Sequence, residues 1–324
     1  MHRLHFAAGL ARIVALFAAS AVAHSSALAQ SRDVAALPSA AVATAFGVDS
    51  ARLFDDVRTL AAPAFEGRLI GTEGNRKAGL FVQQRLAGLG LQPFGAGFAQ
   101  PFKSPATKRA PAIDGVNYIG FIKGTSTPER YLLVTAHYDH LGIVKDTLYA
   151  GADDNASGVA AMLAVATYFK AHPPAHTVVF AAFDGEEQGL RGARAFLAAL
   201  PFAKEQLALE LNFDMVSHND RNEIYATGTR YTPSLASLVA AAAARHTVQV
   251  KLGHDEGKGE ENWTHASDHG PFHDAGVPFL YFGVEDHPDY HKPGDTFEHI
   301  NQPFFAAVAN LLVDVAVTAD RSLQ

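Results

Sequence analysis

The chain contains no cysteine. That excludes disulfides, thiol nucleophiles and thiolate zinc sites, so any metal must be held by His, Asp or Glu. It also excludes a lipid-anchored export signal, which needs a cysteine at the cleavage point. Long runs of one charge are absent, and the formal net charge of −7 is spread along the chain. A nucleic-acid surface would need a clustered basic face, and none is spelled out. No internal repeat and no low-complexity linker separates the chain into parts. The longest early apolar stretch, residues 13–23, is too short to cross a bilayer core of about 30 Å at about 1.5 Å per residue.

The 324 residues, 48% of them hydrophobic, are enough for one large domain with a well-buried core. Residues 1–29 read as an export signal. Arg3 and Arg12 lead, the apolar stretch follows, and Ala27-Leu28-Ala29 forms a small-x-small cleavage site before Gln30. The expected product is soluble and periplasmic or extracellular, with a loose Ala-rich segment over 30–48 and a single catalytic domain over 49–324.

Apolar periodicity predicts helices over 49–60, 75–89, 158–170, 190–200, 233–245 and 303–318. Strands are predicted over 117–122, 131–136, 177–183, 207–213 and 278–282. Several of these strands are continuously apolar, the pattern of strands covered by helices on both faces. The expected fold is α/β, a three-layer α/β/α sandwich around a mixed, mostly parallel sheet.

Polar clusters fall at the ends of the apolar runs. His137-Tyr138-Asp139 follows 131–136, Asp184-Gly185-Glu186-Glu187 follows 177–183, and Asp214 follows 207–213. Open α/β sheets bind ligands beyond the carboxyl ends of their strands. Three strands delivering acids and a histidine to one edge therefore point to a site. Taken singly, each cluster has a plainer reading. His-x-Asp is a polar loop, or a pair in which Asp139 accepts from the second ring nitrogen of His137. In the segment Gly151 to Gly158, Asp154, Asn155 or Ser157 can cap the following helix, but three polar candidates exceed what one cap needs. Glu186-Glu187 is a solvated turn, or a pair in which one acid binds metal and the other acts as a base. In the loop Tyr290-His291-Lys292-Pro293-Gly294-Asp295-Thr296, either His291 or nearby His287 can serve as a ligand.

These motifs, in this order and spacing, resemble metallopeptidase family 28, over roughly Asp49 to the C-terminus. The entry segment Glu66-Gly67-Arg68…Gly71-Thr72…Gly74 belongs to the resemblance too. It implies a zinc exopeptidase fold with two zinc ions, for which cobalt or manganese can substitute. His137 and Asp214 would hold one ion, Glu187 and His291 the other, and Asp154 would bridge them. Glu186 would be the general base, Tyr290 would hold the oxyanion, and the Asp154–Asn155 peptide would be cis. The expected activity is that of an aminopeptidase on peptide substrates, with no membrane anchor and no obligate protein partner.

Gly192-Ala193 departs from the Gly-Ser pair of many relatives, which affects helix packing. The stretch 92–136 is too short for a protease-associated insert. The 77 positions between Asp214 and His291 leave no room for the lid domain of deacylase-type relatives. A single-zinc glutaminyl cyclase is the alternative within the same resemblance. A catalytically inactive binding protein is a further one, and it would be expected to lack a ligand or the base. The pocket is expected to be shaped by residues 225–231 and 254–265, the second carrying Asp255, Glu256, Glu260, Glu261 and Trp263. Ser267-Asp268-His269 either lines it or caps a short helix with Pro271 in its first turn.

Overall fold

Burial explains the central strands first. Strand β7 (His176–Phe183) and strand β8 (Leu207–Phe213) are buried at every residue. Along β7, Val178, Phe180 and Ala182 join one apolar cluster, while Val179, Ala181 and Phe183 join another. A strand has a side-chain period of two, so these are two cores on opposite faces of one sheet. The three-layer α/β/α sandwich follows from that alternation. The computed structural model describes residues 32–33, 46–106, 112–256 and 261–323. The expected export signal lies outside them.

The remaining strands are β1 (Arg32–Asp33), β2 (Ala99–Ser104), β3 (Ile113–Ile122), β4 (Thr127–His137), the hairpin β5 (Gly142–Val144) and β6 (Thr147–Tyr149), β9 (Glu223–Thr227), β10 (Gln249–Leu252) and β11 (Phe279–Gly283). The main sheet runs β1-β10-β9-β11-β8-β4-β7-β3-β2. Its middle, β11-β8-β4-β7, is wholly parallel. Antiparallel pairings join β9 to β11, β3 to β7 and β2 to β3. The hairpin stands apart as a small second sheet.

Helices α1 (Ser50–Leu60), α2 (Glu73–Gly88), α3 (Gly158–Ala171), α5 (Leu235–Ala243) and α7 (Gln302–Ser322) cover the face of the larger core. Helices α4 (Arg191–Ala198) and α6 (His269–Asp274) cover the other. Local chemistry fixes several helix starts. The Asp49 carboxylate accepts the Arg52 N–H, the Thr72 hydroxyl accepts the Asn75 N–H, and Asn301 accepts the Phe304 N–H. Helix α7 is long and apolar enough to cross a membrane, yet 67% of its most apolar window is buried in the protein.

Of the segment expected to be loose, 30–48, residues 32–33 and 46–48 are described. Residues 32–33 pair antiparallel with β10, whose outer edge offers unpaired backbone groups. Phe46 packs on Tyr168 and His246, and the Val48 N–H reaches Asn310 Oδ1 at 3.4 Å.

Candidate metal centre and active site

Because β4, β7, β8 and β11 are parallel neighbours, their carboxyl ends share one edge. His137 ends β4, Glu186 and Glu187 follow β7, Asp214 follows β8, and the chain beyond β11 carries Tyr290 and His291. Asp154 arrives on a wide turn, residues 152–157, that leads into α3. Glycine is required on both sides of this turn. Gly151 has φ +63°, and a Cβ there would lie 2.3 Å from the Asp154 carbonyl. At Gly158 a Cβ would lie 2.2 Å from the Phe213 carbonyl. The Asp154–Asn155 peptide is cis, as the resemblance implies. Asn155 holds the turn to β8, donating to the Phe213 carbonyl at 2.9 Å and accepting from the Gly158 N–H.

The donors converge. His137 Nε2 lies 3.2 Å from Asp214 Oδ1 and 3.3 Å from Asp154 Oδ1. His291 Nε2 lies 3.0 Å from Asp154 Oδ2 and 3.3 Å from Glu187 Oε2. Asp154 thus sits between the two sets, one oxygen facing each. Glu186, Tyr290, Trp263 and Tyr281 line the same cavity, of about 80 Å³. Tyr290 stacks on His291 with ring centroids 4.0 Å apart.

His140 was not singled out from the sequence. Its Nδ1 is 2.8 Å from Glu187 Oε1 and 3.7 Å from Asp154 Oδ2, and the three residues form a set of donors within 4.8 Å of one another. The signal was present: His140 stands three positions after His137, directly beyond Asp139.

Asp139 behaves differently from expectation. His137 Nδ1 is 3.2 Å from the Asp139 backbone carbonyl but 3.6 Å from its carboxylate. The main chain therefore fixes the tautomer, because the turn after β4 brings the carbonyl closer than the side chain. The Asp139 carboxylate instead accepts the Glu186 N–H at 3.1 Å. It positions the backbone of the candidate base.

Other expectations also shift. His287 faces away from the cavity donors and lies 3.2 Å from Asp153 Oδ2. Asp153 turns the same way, accepting from the Ser217 N–H, the Ser217 hydroxyl and the Ser157 hydroxyl. Tyr225 lies in β9 and packs behind Trp263, so of the two expected pocket segments only the second reaches the cavity. Asp255 is a loop anchor whose carboxylate accepts from Gly228 and Arg230, and Glu260 lies outside the described residues. Asp268 neither lines the cavity nor makes a side-chain cap at α6. It is fully buried beneath, pushed up to about 8 by burial against the pull of His137.

Two buried residues brace the ligand segments. Arg68 has no exposed surface and spends its guanidinium on four carbonyls: Tyr138 at 2.8 Å, Leu60 at 2.8 Å, Ala150 at 2.6 Å and Gly151 at 2.8 Å. It ties the chain after β4 to the chain entering the Asp154 turn. Burial lowers its pKa to about 10, with Asp295 and Asp154 opposing the shift. Asp295 accepts the N–H groups of Asp153 at 2.7 Å and Asp154 at 3.0 Å.

Electrostatics show what the donor set demands. Burial would lower His137, but Asp214 and Glu186 push it well above the usual histidine range. Burial likewise opposes protonation of His291, yet hydrogen bonds to Asp154 and Glu187 raise it to about 10. Burial raises Asp154, and the neighbouring His140, His137 and His291 outweigh it to hold the carboxylate well below its ordinary range. Glu186 is pushed far up by burial, with His137 opposing and Asp268, Asp214 and Glu187 reinforcing. Five acidic residues, Asp154, Glu186, Glu187, Asp214 and Asp286, line one small cavity, and imidazoles supply the positive charge near them. Divalent cations fit this site, since imidazole and carboxylate donors in two sets sharing one acid match borderline metals such as zinc.

Paired donor sets at the carboxyl edge of a parallel sheet are those of an α/β metalloprotein. Residues 117–316 match peptidase family M28, and the chain belongs to that family. Among related sequences, aminopeptidase YwaD of Bacillus subtilis is 35% identical over 179 residues, covering 52% of this chain and 36% of that protein. A "Probable zinc metalloprotease" of Pyrenophora tritici-repentis is 29% identical over 210 residues, covering 53% of this chain. The chain spans only 46% of the length of that fungal relative. A solved zinc aminopeptidase of Bacillus subtilis superposes with a TM-score of 0.68 at 18% identity, covering 83% of this chain and 95% of that one. A glutaminyl cyclase of Bacteroides thetaiotaomicron superposes with the same TM-score, 0.68, at 17% identity over 83% of this chain and 98% of that one. These likenesses show the fold.

Proposed function

We propose that the protein is an exported, metal-dependent aminopeptidase that hydrolyses the N-terminal residue from peptides with two zinc ions at this centre. The observation that carries the reading is the position of Asp154, one oxygen toward His137 and Asp214 and the other toward His291 and Glu187. One carboxylate between two donor sets is the arrangement a pair of ions requires. His137, Asp154 and Asp214 would hold one ion, and Asp154, Glu187 and His291 the other. His140, on the second oxygen of Glu187, orients that carboxylate.

Bound there, the ions supply Lewis-acid activation of water and of the scissile carbonyl. The chain's own residues do the rest. Glu186 accepts the proton of the attacking water and delivers it to the leaving amine. Tyr290, held against His291, donates from its hydroxyl to the carbonyl oxygen. Trp263 and Tyr281 wall the cavity.

The fold alone does not separate hydrolysis from cyclisation, because relatives of both activities superpose equally well. The experiment is a hydrolysis screen of peptides with free and acetylated N-termini, run beside an N-terminal glutamine peptide and an elemental analysis. Two zinc equivalents, with cleavage only of the free N-terminus, is the expected result. One tightly held zinc with cyclisation of the glutamine peptide would establish the cyclase reading instead.

A further inference from the structure

Behind the Asp154 turn lies a third group of donors that the proposed chemistry does not use. His218, His287 and Asp289 each offer one donor atom within 4.8 Å of the others. The two imidazole rings stack with centroids 3.7 Å apart and planes 18° from parallel. His287 Nε2 lies 3.2 Å from Asp153 Oδ2, and its side chain is only 6% exposed. His287 Nδ1 accepts the Asp289 N–H at 3.3 Å. Asp289 Oδ2 lies 3.2 Å from His299 Nδ1.

What marks the cluster is unspent bonding capacity. His218 Nδ1 is buried and lacks a hydrogen-bond partner, while His287 Nε2 and Asp153 Oδ2, 3.2 Å apart, have only each other. Buried polar atoms in native proteins are nearly always satisfied, and an unmade bond costs about 1–3 kcal/mol. A buried imidazole nitrogen with no partner, within 4.8 Å of donor atoms from a second imidazole and a carboxylate, calls for one.

We propose that His218, His287 and Asp289 hold an additional divalent transition-metal ion, distinct from the catalytic pair. Two imidazoles and a carboxylate suit zinc or a neighbouring first-row ion; calcium and magnesium take oxygen donors. The rings now lie face to face, so ion entry turns the half-buried His218 ring about its Cβ–Cγ bond. None of the three residues belongs to the catalytic ligand sets, and Asp153 faces this cluster while Asp154 faces the cavity.

The location gives the ion a purpose. His218 lies four positions beyond Asp214, and His287 and Asp289 lie just before Tyr290 and His291. An ion here would tie the chain after β8 to the segment before Tyr290 and steady the fold there, and it shares no donor with the catalytic sets.

The test compares zinc uptake by the full chain and by His218→Gln. Both are stripped with chelator, titrated with Zn²⁺ in a calorimeter, and analysed for zinc after dialysis. The expected result is one fewer equivalent in the variant, with peptide hydrolysis retained. Equal uptake by the two proteins overturns the site, whatever the absolute count. So does a variant that loses zinc and hydrolysis together, because the donors would then not form a separate site. A parent that binds two equivalents while His218→Gln binds one and still hydrolyses peptides supports this site and counts against two catalytic zinc ions. If His218→Gln does not fold, Asp289→Asn provides the same comparison.

Discussion

Replacing Glu186 by glutamine separates the base from the ligands more sharply than any other change. The side chain keeps its size, and the backbone stays fixed because the Asp139 carboxylate still accepts the Glu186 N–H at 3.1 Å. Only the ability to take a proton is lost. Proton transfer by a positioned group contributes about 10²–10⁴ in rate, or roughly 2.7–5.4 kcal/mol of barrier at about 1.36 kcal/mol per tenfold. We therefore expect kcat to fall at least about a hundredfold, with KM changing much less.

Stability should move the other way, if it moves at all. Burial pushes the Glu186 carboxyl far above its ordinary range, and Asp268, Asp214 and Glu187 add to the shift against the pull of His137. An uncharged amide escapes that desolvation and that repulsion. The assay is steady-state hydrolysis of a chromogenic aminoacyl anilide, paired with zinc analysis and a thermal melt. Glu187→Gln should instead lose zinc, because both of its oxygens face imidazoles, His140 at 2.8 Å and His291 at 3.3 Å. Near-normal turnover in Glu186→Gln would refute the reasoning. So would loss of zinc from that variant while Glu187→Gln kept it.

Arg68→Met should destabilise the fold by about 3–5 kcal/mol in denaturant titrations, since it strips the donors from four backbone carbonyls. Arg68→Lys should recover only part, because an ammonium cannot reproduce the planar fork, and full recovery would count against the bracing role. Metal uptake should expel protons near pH 7, since metal-free His291 holds its proton up to about 10 and His137 lies well above the usual range. Their folded pKa values exceed the unfolded value, so this proton-linked stability is complete below about pH 6.5 and is lost as pH rises toward 10. Calorimetry in two buffers of different protonation enthalpy reads the released protons, and identical heats in both would contradict the assignment.

The fold was legible where burial makes the code simple. β8 was read at its full length, 207–213, because every residue is apolar or tucked into the core. α1 was read over 49–60 from its apolar stripe with Asp49 or Ser50 as cap, and the structure caps it with Asp49. The strands that were missed are short or half-exposed. β2 contains Gln100, Pro101 and Lys103 and alternates between exposed and partly buried positions at the sheet edge. β10 has four residues and gains its strand character from pairing with β9, a long-range contact that no local pattern records. α6 has six residues, too few to show a helical period, and it was legible only as one of two alternatives, a short helix with Pro271 in its first turn.

The site was legible as residue types at strand ends, but the partners of those residues were not. Asp139 illustrates the difference. Its proximity to His137 in the chain suggested a carboxylate on the imidazole, yet the turn presents the carbonyl and sends the carboxylate to Glu186. Arg68 illustrates it more strongly. Its four acceptors are 8, 70, 82 and 83 positions away, and all are backbone atoms, which carry no residue-type signal. A sequence motif names the groups that touch the reacting atoms, because their chemistry restricts their type. The groups that hold them in place are restricted by geometry, and geometry emerges only once the strands have paired. Positioning residues such as Arg68, Asp139 and Asp295 should therefore tolerate substitution as poorly as the ligands do, and although all three stand inside the motifs, no spacing rule told what they hold.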